Sequence, residues 1–275
     1  MQGRGDNGNT LQTSFHTTSR INMTQLIKVE KLEPGIVSVT LNRPERRNAL
    51  NIELLDQLCT GIDRLADDQT NRIVILRAAG PVFSAGLDLR EAADSSIVEQ
   101  SAEAVQRAMN LLRETPLTMI AAVQGGAFAG GAGLMAACDI VISSADAKFG
   151  FPEARRGLLP ALICGVLKHK VREGDLRDLF LAGEVIDASR AQNIGLVQRV
   201  VPLERLLDEA LSVARSILAG GPETIRQTKA LLNALYNQNG AAGSHLIQTH
   251  LAARCSDEAR EGLAAFIEKR EPNWS

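Results

Sequence analysis

Between Ala121 and Ile140 the chain reads AAVQGGAFAGGAGLMAACDI, with five glycines from Gly125 to Gly133. A β-type run ends at Val123, and an apolar helical pattern begins near Gly131 and continues through Leu134, Met135 and Ala137. The order predicts a strand, a tight glycine turn and a helix start. A helix start leaves backbone N–H groups without intrahelical partners, and missing Cβ atoms let a ligand approach the main chain. Two readings stay open on spacing alone: a turn that only connects two elements, or a site for an anion or a developing oxyanion. The segment GAFAGGAG matches neither GxGxxG nor a P-loop, so dinucleotide and P-loop phosphate binding are disfavoured.

The rest of the chain supplies the frame for this junction. Ile27–Leu32 and Ile36–Leu41 read as a β-hairpin about Pro34-Gly35. Asn51 is placed to cap a helix with the apolar stripe Leu54, Leu55, Leu58, Ile62 and Leu65. Ile73–Leu76 reads as a buried strand, residues 96–113 as a long helix, and Met119–Val123 and Ile140–Ser143 as further strands. Beyond residue 160 the pattern is mostly helical, with one short strand at Val197–Val201. The expected fold class is α/β, one continuous unit with a core over 23–200 and a helical region over 201–275. Residues 1–22 carry few large apolar side chains and are expected to be disordered.

Charge and composition narrow the partners. A formal net charge of -2 and a pI near 6.1 give no basic footprint for nucleic acid, which is set aside as a partner. The cysteines Cys59, Cys138, Cys164 and Cys255 are scattered without a CxxC pair, as in reduced proteins of the cytoplasm or an organelle matrix. No apolar run approaches the ~18 residues of a membrane span, so the expected location is cytoplasmic with no membrane partner. His16, His169, His245 and His250 stand in no metal-ligand spacing, and no GxSxG elbow occurs, so neither a metal site nor a hydrolytic triad is expected.

Three more segments carry candidate chemistry. Phe83-Ser84-Ala85-Gly86-Leu87-Asp88-Leu89 comes after a strand and repeats the small-residue turn, with Asp88 placed to cap the next segment. Arg46 and Arg47 lie in the loop NRPERRN, as solvated surface charges or as phosphate contacts. Glu153 comes directly after Pro152, where a carboxylate complements a helix start; its apolar neighbours would raise its pKa and suit proton transfer.

Five ordered motifs, LNRPERRNALN (41–51), FSAGLDL (83–89), GGAFAGGAGLMAACDI (125–140), FPEARRGLLP (151–160) and AAFIEKREP (264–272), resemble the crotonase superfamily, the enoyl-CoA hydratase/isomerase family. The resemblance covers about residues 26–272. It implies a spiral of ββα units with a C-terminal helical region, assembled as trimers or dimers of trimers. It also implies acyl-CoA thioester substrates, which bring the coenzyme A themselves, so no separate cofactor is expected. By motif position the oxyanion donors are the amides of Leu87 and Gly130, and Glu153 is the general acid/base. CoA contacts are expected at Arg46, Arg47, Ala85, Gly86, Asp88 and Leu89, and at Phe266 and Lys269, which in relatives sometimes act from a neighbouring subunit.

One position departs from the family pattern. Two-glutamate hydratases of this family carry a first glutamate where this chain has Gly133 and a second where it has Glu153. The expectation is hydration of a 2-enoyl-CoA, with double-bond isomerisation or decarboxylation through Glu153 alone as alternatives, and a non-catalytic acyl-CoA binder as the alternative of another class. The segment RRGLLPALI also resembles a subgroup acting on branched glutaconyl-type esters, for which Arg155 or Arg156 would meet a distal carboxylate; surface or structural salt bridging is the competing role.

Overall fold

The computed structural model describes residues 25–237, 243–254 and 256–274. The expectation for residues 1–22 lies outside them. In chain order the elements are β1 (Ile27–Glu33), β2 (Ile36–Leu41), α1 (Ile52–Asp67), β3 (Ile73–Ala78), α2 (Leu89–Ala92), α3 (Val98–Glu114), β4 (Thr118–Val123), β5 (Gly126–Phe128), α4 (Gly130–Ala136), β6 (Ile140–Ser144) and β7 (Lys148–Gly150). Then come α5 (Ala161–Leu167), α6 (Glu173–Ala182), β8 (Val185–Asp187), α7 (Ala188–Asn193), β9 (Arg199–Val201), α8 (Leu206–Leu218), α9 (Pro222–Asn237), α10 (Gly243–Arg254) and α11 (Asp257–Glu268).

The main sheet has the order β1-β2-β3-β4-β6-β9. Only β1 and β2 pair antiparallel, with Ile27 opposite Leu41, about the expected Gly35 turn. The others run parallel, with Ile36 beside Ile73, Ile73 beside Thr118 and Ile120 beside Ile140. Parallel strands covered on both faces read as near-continuous apolar runs, as Ile73–Leu76 and Met119–Val123 do, whereas Ser38 and Thr40 interrupt β2. Successive side chains divide between two cores. Val39, Leu41, Val74, Leu76, Met119, Ala121 and Val141 join the larger one with α1, α3 and α4. Ile36, Ile73, Ile75, Ile120 and Ile142 face Leu206, Ala210, Val213 and Ala214 of α8.

A second sheet, β5-β7-β8, was not legible as a unit. Its strands are three residues each, too short for a period to show, and they pair across distant segments: Ala127 with Phe149, and Phe149 with Ile186. β5 falls inside the glycine stretch, where sequence alone suggested only a turn. Elsewhere the expected helices are present, including the Asn51 cap, whose side chain accepts from the Leu54 amide at 3.1 Å. Among the described residues no helix is long and apolar enough to cross a membrane.

In open α/β sheets the loops after the carboxyl ends of the strands gather the functional groups. Here the loops after β2, β3 and β4 meet, and buried Asn48 ties the first two. Its Nδ2 donates to Ala79 O and Val82 O at 2.8 Å each, while its Oδ1 accepts from the Arg43 amide.

Candidate active site

The first turn is laced to the loop after β2. Leu50 N donates to Gly86 O at 2.8 Å and Asp88 N donates to Leu50 O at 2.9 Å. In this parallel bridge the bonds belong to the residues flanking Leu87, which leaves the Leu87 amide free for the other side. The second turn is fixed just as firmly. Phe128 N donates to Ser84 O, Ala129 N donates to Gly150 O, and Ala129 O accepts from Gly133 N. Gly130 is the first residue of α4, a position whose N–H has no intrahelical partner. Among the described residues neither the Leu87 nor the Gly130 N–H has an acceptor.

Both residues line one cavity of about 660 Å³. Its wall also includes Arg46, Arg47, Ala85, Asp88, Leu89, Arg90, Val105, Phe128, Glu153, Arg156, Leu158, Leu162 and Ile163. Ala129, between the two turns, holds φ 48° and ψ -124°, a strained conformation for a residue with a Cβ. That backbone twist sets the plane of the peptide carrying the Gly130 amide.

Glu153 comes after β7 and opens a single 3-10 turn, Ala154–Arg156. Its main-chain oxygen accepts from Arg156 N and Leu158 N, both at 2.9 Å, which anchors the backbone. The side chain is buried, and its Oε2 has no partner. Burial pushes the carboxyl above its ordinary range, opposed by a hydrogen bond to its own backbone and by the charge of Arg156. A carboxyl of raised pKa with an uncommitted oxygen is suited to both take up and release a proton.

The other expected residues separate into groups. Arg46, Arg47, Ala85 and Leu89 line the cavity, and the first two belong to no ion pair among the described residues. Arg90 and Arg156 are likewise outside any ion pair at the wall. Asp88 lines the cavity too, but its carboxylate is bound to Arg43 at 2.6 Å and caps α2 through the Arg90 amide at 3.0 Å. Gly86 lies behind the wall against Phe128 and Ala129. Phe266 and Lys269, on and just after α11, do not line the cavity of the single chain, and Phe266 is 83% exposed. Arg155 turns away, donating from Nε to Ala182 O at 2.9 Å at the end of α6.

The apolar side of the cavity was missed by sequence reasoning. Val105 of α3, Phe128 of β5 and Leu162 and Ile163 of α5 carry no polar group that a sequence could flag, and only packing brings them to one wall. Among the described residues no three His, Cys, Asp or Glu side chains are placed to hold a metal ion.

Known proteins resemble this chain in sequence and fold over nearly its whole length. The profile of the enoyl-CoA hydratase/isomerase family matches residues 31–275. A relative from Thermus thermophilus is 37% identical over 257 residues, covering 90% of this chain and 100% of its own. The mitochondrial enoyl-CoA hydratase domain-containing protein 3 of Homo sapiens is 32% identical, covering 88% of this chain and 81% of its own. The crystal structure of enoyl-CoA hydratase from Bacillus anthracis superposes with a TM-score of 0.84 at 30% identity, covering 91% of this chain and 99% of that one. An enoyl-CoA hydratase structure from Mycobacterium smegmatis does so with a TM-score of 0.84 at 31% identity, covering 90% and 98%. With the crotonase fold and the ordered motifs of its loops, the chain belongs to the enoyl-CoA hydratase/isomerase family.

Proposed function

We propose that the protein binds an acyl-CoA thioester, holds the thioester oxygen between the amides of Leu87 and Gly130, and moves a proton at the adjacent carbon with Glu153 as its only acid/base. The observation that carries this reading is the convergence of two acceptor-free amides and one buried carboxylate with a free oxygen on a single, largely apolar cavity. Donors fixed before reaction stabilise the enolate oxygen as charge develops on it, each by roughly 3 kcal/mol. Arg46 and Arg47 at the cavity wall supply charge for the phosphates of coenzyme A.

Of the reactions open to one carboxylate, migration of a double bond within the acyl chain needs nothing beyond these groups. Glu153 takes a proton from C2 of a 3-enoyl ester, and the dienolate charge rests on the thioester oxygen. The proton then returns at C4, leaving a 2-enoyl ester. Hydration of a 2-enoyl-CoA is the second reading, favoured by the names of the relatives. It requires Glu153 to take the proton of the attacking water and return it to C2, with no second carboxylate to orient that water. For an ester with a distal carboxylate, Arg156 is the cation at the cavity wall, since Arg155 is engaged elsewhere. Assembly as a trimer or dimer of trimers and a reducing compartment, cytoplasm or matrix, complete the proposal.

The test is deuterium exchange at C2 of a saturated acyl-CoA in D2O, read by mass spectrometry. Exchange that disappears in Glu153→Gln while coenzyme A still binds supports the reading. Tight binding without exchange makes the chain an acyl-CoA binder instead.

A further inference from the structure

Gly133 lies one helical turn beyond Gly130 on α4, so the two positions share a face. Cα–Cβ bonds in a helix tilt toward its N-terminus, so a side chain at 133 would reach back toward the Gly130 amide. That space is closed. A Cβ on Gly133 would run into Met109 Cε, and would stand 2.6 Å from Ile163 Cγ2 and 3.3 Å from Ile163 Cβ. Met109 comes from α3 and is fully buried, while Ile163 comes from α5 and also lines the cavity. The space that a side chain at position 133 would enter is therefore filled by a thioether methyl and an aliphatic branch, the second of which belongs to the cavity wall.

We infer that Met109 and Ile163 determine the fate of the enolate, acting as a hydrocarbon plug that denies water a hydrogen-bonded seat at C3. The inference rests on the proposed roles of Glu153 and the two amides. For hydration, a water oxygen must bond to C3 as its proton passes to Glu153, which then delivers that proton to C2 on the former π pair. For isomerisation, one proton leaves C2 and one arrives at C4, and no water is consumed. Among the charged and polar groups of the cavity wall, Glu153 is the one buried carboxylate with an uncommitted oxygen; Asp88 is held by Arg43. Among the described residues of the cavity wall no further uncommitted carboxylate serves as a second partner for water, so the proton returns to carbon. Met109 is a positioning residue in this scheme, and Ile163 sets selectivity from the wall.

The experiment measures the ratio of 3-hydroxyacyl-CoA to 2-enoyl-CoA formed from a 3-enoyl-CoA, at early times, by chromatography and mass spectrometry. Ile163→Thr, a small change in shape that adds a hydroxyl, is expected to raise the hydrated fraction about tenfold, as one new hydrogen bond to the water would. The double variant Met109→Ala with Gly133→Glu, which makes room for a second carboxylate, is expected to raise it about a hundredfold. Circular dichroism identifies variants that keep the fold, and the near-conservative Ile163→Thr answers the question if the double variant does not. Folded, active Ile163→Thr with an unchanged product ratio overturns the inference, as does a wild-type protein that already yields mainly the hydrate; both leave Glu153 and the amides in their roles. Absence of C2 exchange in the wild type removes the proposed function and the inference together.

Discussion

Gly86 is packed directly against Ala129. At φ +95° it places its Cα so close that an added Cβ would stand 3.1 Å from Ala129 Cβ and 2.8 Å from Phe128 O. These residues immediately precede Leu87 and Gly130, so the two turns bearing the acceptor-free amides are in contact through their backbones. A side chain at Gly86 would have to separate them. Gly86→Ala is therefore expected to lower kcat about a hundredfold, the loss seen when one oxyanion donor is misplaced. KM should change little, and steady-state kinetics on a turned-over enoyl-CoA checks both. A variant with normal kcat would show that the spacing of the two turns is not critical.

Ala129 carries the opposite problem, a Cβ in a conformation that glycine adopts freely. Strain of this kind costs about 1–3 kcal/mol, part of which glycine forfeits through its larger unfolded-state freedom. Ala129→Gly should therefore stabilise the fold by about 1 kcal/mol in urea unfolding. A loss of stability would mean that the Ala129 methyl contributes more by packing than its backbone costs.

Glu153 links activity to stability. Its carboxyl sits above the ordinary value of 4.5 because it is buried. Between 4.5 and the raised folded value the folded state binds more protons than the unfolded one, so this group's contribution falls as pH rises. Glu153→Gln should therefore melt at a higher temperature than the wild type at neutral pH, and the gap should narrow on acidification below the ordinary carboxyl range. The same variant should lose at least about a hundredfold in turnover. Scanning calorimetry across pH tests the first statement, and a variant no more stable than the wild type at neutral pH would count against it.

Arg46 and Arg47 are testable as a pair. Both line the cavity, neither is neutralised by an ion pair among the described residues, and Arg47 sits at a left-handed position, φ 52°. Replacing either with alanine should weaken coenzyme A binding about tenfold, as expected for one charge-assisted contact to phosphate. Calorimetric titration at two salt concentrations should show a smaller salt dependence in the variants. Wild-type affinity in both Arg46→Ala and Arg47→Ala would return the two side chains to the role of surface charge.

Much of this molecule is legible in sequence because its signals are local. The apolar runs at Ile73–Leu76 and Met119–Val123 announce strands, Pro34-Gly35 announces the hairpin of Ile27–Leu32 with Ile36–Leu41, and the Asn51 and Asp88 caps act within three residues of themselves. The strands β5, β7 and β8 escaped because their identity lies in partners far along the chain rather than in any period of their own. Asp88 was half legible. Its cap was visible, whereas its bond to Arg43 across the loop after β2, which occupies a carboxylate expected to meet coenzyme A, was not.

By itself the sequence determined the family, the alternation of strands and helices, the glycines that permit two tight turns and the carboxylate at position 153. The tertiary structure decided which amides remain without acceptors, because that depends on how Leu50 pairs with the residues flanking Leu87. It also decided what the glycine at 133 means. From sequence Gly133 is a missing glutamate; in the fold it is a surface against which Met109 and Ile163 close. Backbone conformation and capping act over a few residues and are written locally, whereas the filling of space between helices is set by side chains that meet only once the chain is folded.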